Sequence, residues 1–406
     1  MEFDTEVVIA GGGLNGLSMA LALRSAGLSV TLVDPTPRRA RANAKFDGRS
    51  YALAIASKRV LQALNVWDRI ADPSPILGIK VTDGRAGEAP SPLMLAFDHA
   101  EIEEGPMGFM VEDRKLRPAL LAAAKSADVT QIEGDSVIAE TVKANGIDVS
   151  LASGKVLHAS ILIACDGKRS SIARRANIKK TGWSYNQTAL VCAIQHEKPH
   201  HGIAHQYFMP SGPLAILPLL NNRASIVWTE KTSRAQEIQK MSDAGYMAEL
   251  HPRFGTFLGE ISLAGERFTY PLELSLARNF AVDRIALVGD AAHAVHPIAG
   301  QGLNAGLKDI AALAEVITDA ARRGEDIGRS DVLHLYQQWR RFDATALAVA
   351  TDGFNRLFSN DNSLLRAVRD FGLAATNAIP SFRRGLIREA AGLTGDLPRL
   401  AKGQPL

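Results

Sequence analysis

The chain has 406 residues, 46% of them hydrophobic and 22% charged, a composition that fits a soluble globular protein of two or three domains and excludes a disordered or fibrous chain. Lys and Arg number 46 against 43 Asp and Glu, and this surplus is too small for polyanion binding to be the main business of the surface, so nucleic acid is not an expected partner. The two cysteines, Cys165 and Cys192, cannot build a disulfide framework, and no apolar run approaches the roughly 18 residues that a transmembrane helix needs.

The opening "MEFDTEVVIAGGG" starts with acids and goes straight into a strand, without the basic and apolar regions of a signal peptide. The expected location is the cytoplasm, with peripheral contact at the inner face of the membrane left open. Residues 6–10, "EVVIA", read as a buried strand, and an apolar helical pattern follows over 14–26 until Gly27 stops it. The second strand, "SVTLVD", closes on Asp34. Between first strand and helix stands "GGGLNG", with Gly11, Gly13 and Gly16 in the G-x-G-x-x-G spacing. That spacing serves a tight turn, a close approach of backbone to a pyrophosphate and close packing of helix on strand. The phosphate would lie at the helix N-terminus, where N–H groups and the dipole favour an anion. Asp34 is placed to accept hydrogen bonds from a ribose 2′-hydroxyl, and it would repel a 2′-phosphate. The motif indicates a dinucleotide without choosing between NAD and FAD.

Residues 73–111 contain the strand-like "ILGIKVTDG", "PLMLAF" and "GFMVED". "ILIACDG" reads as a buried strand that holds Cys165 and ends at Asp166 and Gly167. From 181 to 275, "TALVCAIQ", "AHQYFMP", "PLAILPLL" and "ASIVWTE" alternate with Gly, Pro and Asn turns, as antiparallel sheet does. Tyr207, Phe208, Leu217 and Trp228 are candidates for a pocket lining on that sheet. "RIALVG" then forms another buried strand, with Gly289 and Asp290 at its carboxyl end, where ligands of open α/β sheets bind. The crowded loop "GDAAHAVHPIAGQGLN" runs into an amphipathic helix from about residue 302, whose start lets Gly300, Gly302, Leu303 and Asn304 present backbone N–H groups. His293 and His296 raise a metal site as a competing idea, but no Cys or acid cluster accompanies them, and no metal is expected. A cofactor reaching both helix N-termini, with pyrophosphate on one and a flat ring on the other, is FAD. There is no second dinucleotide fold, so a nicotinamide donor would bind only transiently. From residue 352 the chain carries eight basic residues against five acids, and Leu364, Leu365, Val368 and Phe371 group in helical phase beside arginines, as in an interfacial helix.

Taken together, "GGGLNG", "ACDGKRSSIARR" and "GDAAHAVHPIAGQGLNAGLKD" resemble, in order, the three fingerprints of the FAD-dependent aromatic hydroxylases, the class of p-hydroxybenzoate hydroxylase. "DGRSYALAIASKRVL", "VEDRKLRPAL", "SGPLAILPL" and "HPIAGQGLN" look most like its ubiquinone-biosynthesis subgroup. The resemblance implies a glutathione-reductase-type, Rossmann-like FAD-binding α/β domain (1–72, 112–180 and 276–345), an inserted, mostly antiparallel β-sheet substrate domain (73–111 and 181–275) and a C-terminal helical segment (346–406). It implies that Gly11, Gly13, Leu14, Asn15 and Gly16 meet the pyrophosphate, Asp34 the adenosine ribose and Gly289 and Asp290 the ribityl or pyrophosphate end. Arg49, Arg114, Asp166 and Gly167 match positions around the flavin, Pro297 the proline whose backbone faces the substrate ring, and Gly300, Gly302, Leu303 and Asn304 the cradle of the flavin's pyrimidine end. Asn15 departs from the pattern, which more often has an apolar or small residue there.

The implied activity is hydroxylation of a polyprenylated phenol with NAD(P)H and dioxygen, one oxygen atom entering the ring and the other leaving as water. Contact with a quinone-biosynthesis complex and the oligomeric state are left open. Two other readings stay beside it: a flavin dehydrogenase or reductase of a prenyl lipid, and an FAD-containing subunit without activity of its own.

Overall fold

The structure is a computed structural model that describes residues 3–41, 45–88, 94–296, 300–359, 376 and 379–406. Pro297 and the stretch from Leu364 to Phe371 fall outside the described residues. Val7–Ala10, flanked in parallel by Val30–Asp34 and Ile161–Ala164, forms the centre of a six-stranded sheet. Thr130–Glu133 extends it beyond Val30–Asp34, Ile285–Leu287 beyond Ile161–Ala164, and the antiparallel Ala281–Val282 closes that edge. The central strands are buried on both faces, which is why they read as unbroken Val/Ile/Leu runs rather than alternating ones. Helices Leu14–Ser25 and Gln301–Arg322 pack on each other over this sheet. The first starts directly from the carboxyl end of Val7–Ala10, and the second follows the turn after Ile285–Leu287 and the short strand His293–Ala294.

The second layer is a nine-stranded sheet built around the long strand Lys180–His196, which pairs antiparallel with Arg223–Lys231 and Phe268–Ala277. Gly212–Leu219 and Ile203–Met209 continue it, and Gly78–Asp83 joins in parallel before the edge strand Leu95–Asp98. One face is covered by helices Thr232–Lys240 and Asp243–Phe254, over a core of Trp228, Tyr246 and Leu250. A third sheet, Ser50–Ala54 with Gly108–Glu112 and Ser74–Ile76, spans the divisions drawn at 72/73 and 111/112. Helix Ser330–Phe358 likewise runs unbroken through the division drawn at 345/346.

Arg284, read from sequence as the start of a strand, is 2% exposed and adopts φ 59°. Its guanidinium donates to the carbonyls of Lys143, Ala144 and Ser160 and to both carboxylate oxygens of Asp326. It ties the meander of Val137–Lys143, Gly146–Leu151 and Val156–Ala159 to the last parallel strand, and every donor finds an acceptor, as a buried charge requires.

Candidate flavin and substrate site

The neighbouring strand ends Ala10, Ala164 and Leu287 bring three short turns together. In the first, the glycines have different reasons. A β-carbon on Gly11, at φ 104°, would lie 2.4 Å from the Cys165 carbonyl oxygen, and one on Gly16 would lie 1.8 Å from the Gly11 carbonyl oxygen. A β-carbon on Gly13 would meet nothing within 4 Å. Gly11 and Gly16 are therefore glycine because backbone passes against backbone, and Gly13 keeps an approach open. Gly13 is the N-cap of helix Leu14–Ser25 and no side chain caps that end, so the first N–H groups at Leu14, Asn15 and Gly16 lack intrahelical acceptors. Asp34 accepts from the Gly12 N–H and, at 2.7 Å, from the Thr36 N–H, which fixes its carboxylate at the rim of this turn.

Asn15, treated in the sequence as a minor departure, packs its amide against two later glycines. A β-carbon would lie 2.1 Å from Asn15 Nδ2 if placed on Gly289, and 2.7 Å from both amide atoms if placed on Gly306. The side chain thus sets how closely the first helix approaches the third turn. Its Oδ1 is buried without a hydrogen-bond partner. In the middle turn Asp166 Oδ2 caps the helix Ser171–Arg175 through the Ser171 N–H at 2.9 Å, while Oδ1 is also buried and unpartnered. Gly167 follows at φ 80°.

The third turn rests on a buried network that sequence reading missed. Asp309 is fully buried, and its Oδ2 accepts from the Gly289 N–H at 3.0 Å and pairs with His293 Nε2 at 2.6 Å. Its Oδ1 accepts from Arg340 Nε at 2.8 Å, and Arg340 also reaches Asp343. Burial opposes the Asp309 charge, but His293 and Arg340 outweigh it and hold the carboxyl below its ordinary value. Asp290 points instead into the open cleft, where the surrounding protein pushes its carboxyl up, against the pull of His293, Lys168 and Lys180. His293 and His296, weighed as a metal pair, part company: His296 lies edge-on to the Tyr185 ring at 5.3 Å.

His296 is 1% exposed, neither ring nitrogen has a hydrogen-bond partner, and burial pushes its pKa down to about 4. A folded value below the ordinary ~6.5 means that its stabilising contribution is complete above about pH 6.5 and is lost as pH falls toward about 4. Between pH 7 and pH 5 this group alone should remove about 2 kcal/mol of stability. Denaturant unfolding at the two pH values checks this: in His296→Gln the pH 7 to pH 5 loss should shrink by about that amount, and an unchanged loss would contradict it.

Helix Gln301–Arg322 starts from Gly300 at φ 65°, again without a side-chain cap, and a β-carbon on Gly302 would meet nothing within 4 Å. Asn304 was expected to offer its backbone N–H; its side chain does more. Oδ1 accepts from the Ala54 N–H (2.9 Å) and the Ser57 hydroxyl (2.7 Å), and Nδ2 donates to the Ala52 (2.9 Å) and Gly300 (3.1 Å) carbonyls. It clamps the helix start to the strand Ser50–Ala54.

A cavity of about 270 Å³ lies between this helix start and the open face of the nine-stranded sheet, walled by Gly300, Gly302 and Leu303 on one side and by Val191, Leu217 and Val227 on the other. Arg49 and Tyr51 line it too. Arg49 is held by Asp47 at 2.7 Å, and the Tyr51 hydroxyl donates to Asp113 at 2.8 Å. Arg114 does not line it; it turns to Glu112 and lies over the Phe46 ring at 5.0 Å. Of the four residues expected to line the pocket, Leu217 does so. Tyr207 and Trp228 are corrected: their register through Leu214 puts them on the opposite face, in the core under the two covering helices. Phe208 is on the cavity's side of the sheet but outside the cavity, stacked on Phe358 at 4.1 Å between ring centres. The alternating small and apolar positions Ala189/Val191, Ala215/Leu217 and Ser225/Val227 carried the signal.

These features fit FAD. Two helix N-termini lack side-chain caps, Gly13 and Gly302 sit beside open space, and Asn15 Oδ1 and Asp166 Oδ1 are buried acceptors without protein partners. The comparisons agree. The FAD binding domain family matches residues 4–351. "Ubiquinone hydroxylase UbiL" of Rhodospirillum rubrum is 39% identical over 406 residues, covering 99% of this chain and 93% of that protein. "3-demethoxyubiquinol 3-hydroxylase" of Escherichia coli is 33% identical over 394 residues, covering 96% and 99%. The crystal structure of p-nitrophenol 4-monooxygenase PnpA from Pseudomonas putida superposes with a TM-score of 0.79 at 19% identity, covering 97% of this chain and 99% of that one, which shows a shared fold. The chain belongs to the FAD binding domain family, and its full-length similarity to ubiquinone hydroxylases places it among the FAD-dependent aromatic hydroxylases.

Proposed function

We propose that the chain is a monooxygenase that hydroxylates the aromatic ring of a polyprenylated phenol in ubiquinone biosynthesis, with NAD(P)H as transient donor and dioxygen as co-substrate. The observation that carries this reading is the largely apolar cavity set directly against the uncapped helix start at Gly300–Leu303. FAD, when bound, supplies the redox and oxygen-activating chemistry. The protein's residues bind and orient. Gly13 and the first turn of its helix would hold the pyrophosphate, Asp34 the adenosine ribose and Asp290 the ribityl end. The helix start at Gly302 and Leu303 offers N–H groups and a positive dipole end to negative charge on the ring. Val191, Leu217 and Val227 hold the substrate ring and keep water away from it. Arg49, anchored by Asp47 and Asp113, places a fixed positive charge on the cavity wall.

Peripheral contact with lipid belongs to the same reading. It is supported by the exposed Phe342 (79%), Val349 (67%) and Phe382 (55%), and among the described residues no helix is long and apolar enough to cross a membrane. The test is the lipid that accumulates when the gene is removed. A prenylated phenol one ring oxygen short of the normal product is expected; one differing by a pair of hydrogens would favour the dehydrogenase reading.

A further inference from the structure

The cavity against Gly300–Leu303, at about 270 Å³, holds one substituted ring and leaves no room for an isoprenoid chain of several units. Two larger spaces open on other parts of the same sheet. Along the sheet face, toward the end of helix Ser330–Phe358, a cleft of about 550 Å³ is bordered by Trp183, Lys231, Thr232, Asn355 and Arg356. Its inner end is shut by the buried Gln187 and Asn355, whose side chains hydrogen-bond at 2.9 Å. A hydrocarbon passing there would have to break that bond and leave Gln187 Oε1 and Asn355 Nδ2 buried without it, although each amide keeps its other bond, to Ser211 and Ser359.

The way to the other space is mostly apolar where it is narrow. Ala52 lines both the ring cavity and a second cavity of about 70 Å³, walled by Leu53, Ile76, Met107, Ile387 and Ala391. Ile79 lines that second cavity and also a surface groove of about 440 Å³, where Leu77, Phe97 and Ile203 are apolar and Lys80, Asp98, Glu101 and Arg383 give it a charged rim. Ile76, Met107 and Ile387 belong to one hydrophobic cluster against which Ala52, Ile79 and Leu217 pack, so apolar side chains run continuously from the ring cavity to the groove. Helix Pro380–Ala390 roofs the path; it is packed through Ile387 and pinned by the Arg383–Glu101 ion pair at 2.8 Å, with Phe382 exposed near its start. The polar side chains of the narrow part are Gln301, in the first turn of its helix, and Asn304, which is already engaged with Ala52, Ala54, Ser57 and Gly300.

We propose that the isoprenoid chain of the substrate leaves the ring cavity beside Ala52, runs beneath helix Pro380–Ala390 and emerges in the groove at Ile79 and Phe97. The assignment rests on the polyprenylated-phenol reading above. The chain replaces water against apolar walls, the roof helix moves outward to admit it, and Met107 adapts to its width. The C-terminal helix thereby selects for substrate length without touching the reacting ring.

The test uses the FAD-loaded enzyme and two probes. The first is a polyprenyl phenol with a carbene-generating group near the far end of its chain. After illumination, labelled peptides should contain Leu77–Ile79, Phe97 or Ile387–Ala391, and excess unlabelled polyprenyl phenol should suppress the labelling. Labelling confined to the cleft at Trp183 and Asn355 would overturn the path and leave the hydroxylase reading standing. The second compares kcat/KM for a long-chain phenol with that for its single-isoprene analogue. Ile79→Trp, which fills the junction of narrow cavity and groove, should lower that ratio at least tenfold. An unchanged ratio would overturn the path. Wild-type enzyme that binds both phenols and hydroxylates neither would instead overturn the parent reading, and the path with it.

Discussion

Asp309→Ala should destabilise the protein by about 3–5 kcal/mol, the range found when one partner of a buried ion pair is removed. Three donors converge on this carboxylate: the Gly289 N–H, His293 and Arg340. Without it Arg340, 4% exposed, keeps only Asp343 on the outer side, and its charge stays in the core. Asp309→Asn preserves the shape but exchanges one acceptor oxygen for a donor facing donors, so its loss should be smaller but clear. The Gly289 N–H loses its acceptor in the alanine variant, which loosens the turn that carries Asp290, so FAD affinity should fall as well. Denaturant unfolding of the apoprotein measures the first effect and flavin titration the second. An alanine variant as stable as wild type would show that the network contributes nothing.

A second large effect separates two glycines of one motif. Gly16→Ala places a β-carbon 1.8 Å from the Gly11 carbonyl oxygen, a collision of backbone with backbone that no rotamer relieves. The helix Leu14–Ser25 must then lift off the strand beneath it, and little folded, FAD-loaded protein should be recovered. Gly13→Ala meets open space at φ −69°, a backbone conformation that alanine adopts freely. Its apoprotein should lie within about 1 kcal/mol of wild type, most of the loss coming from the poorer N-cap that alanine makes. Its FAD affinity should fall at least tenfold, about 1.4 kcal/mol, because the added methyl points to the side left open for the pyrophosphate. Equal FAD affinity in wild type and Gly13→Ala would remove the anion site from this helix end.

The contrast marks how far the sequence could be read. The glycine turn, the acid closing the second strand, the "DG" turn and the loop before helix Gln301–Arg322 are local patterns, and each carries its geometry within a few residues. Their meeting followed from one rule, that parallel strands present their carboxyl ends together. What stayed hidden depends on contacts between distant segments. Arg340 meets Asp309 across a helix pair, and Asn15 explains Gly289 and Gly306 only once helices Leu14–Ser25 and Gln301–Arg322 touch. The sheet face was hidden for another reason. Alternation divides Tyr207 and Trp228 from Leu217 but does not say which set faces the flavin side, and large aromatics drew attention to the wrong one. The covering helices at Thr232–Phe254 decide it, by taking Trp228 into their own core.

The central claim, that the cavity at Gly300–Leu303 is where oxygen enters an aromatic ring, is tested most directly by turnover of the FAD-loaded enzyme with NAD(P)H, a polyprenylated phenol and isotopically labelled dioxygen. The account predicts product carrying one labelled oxygen on the ring, and a Gly302→Val enzyme that retains FAD far better than it retains hydroxylation. Product whose new oxygen comes from water, or product that gains none, would contradict it.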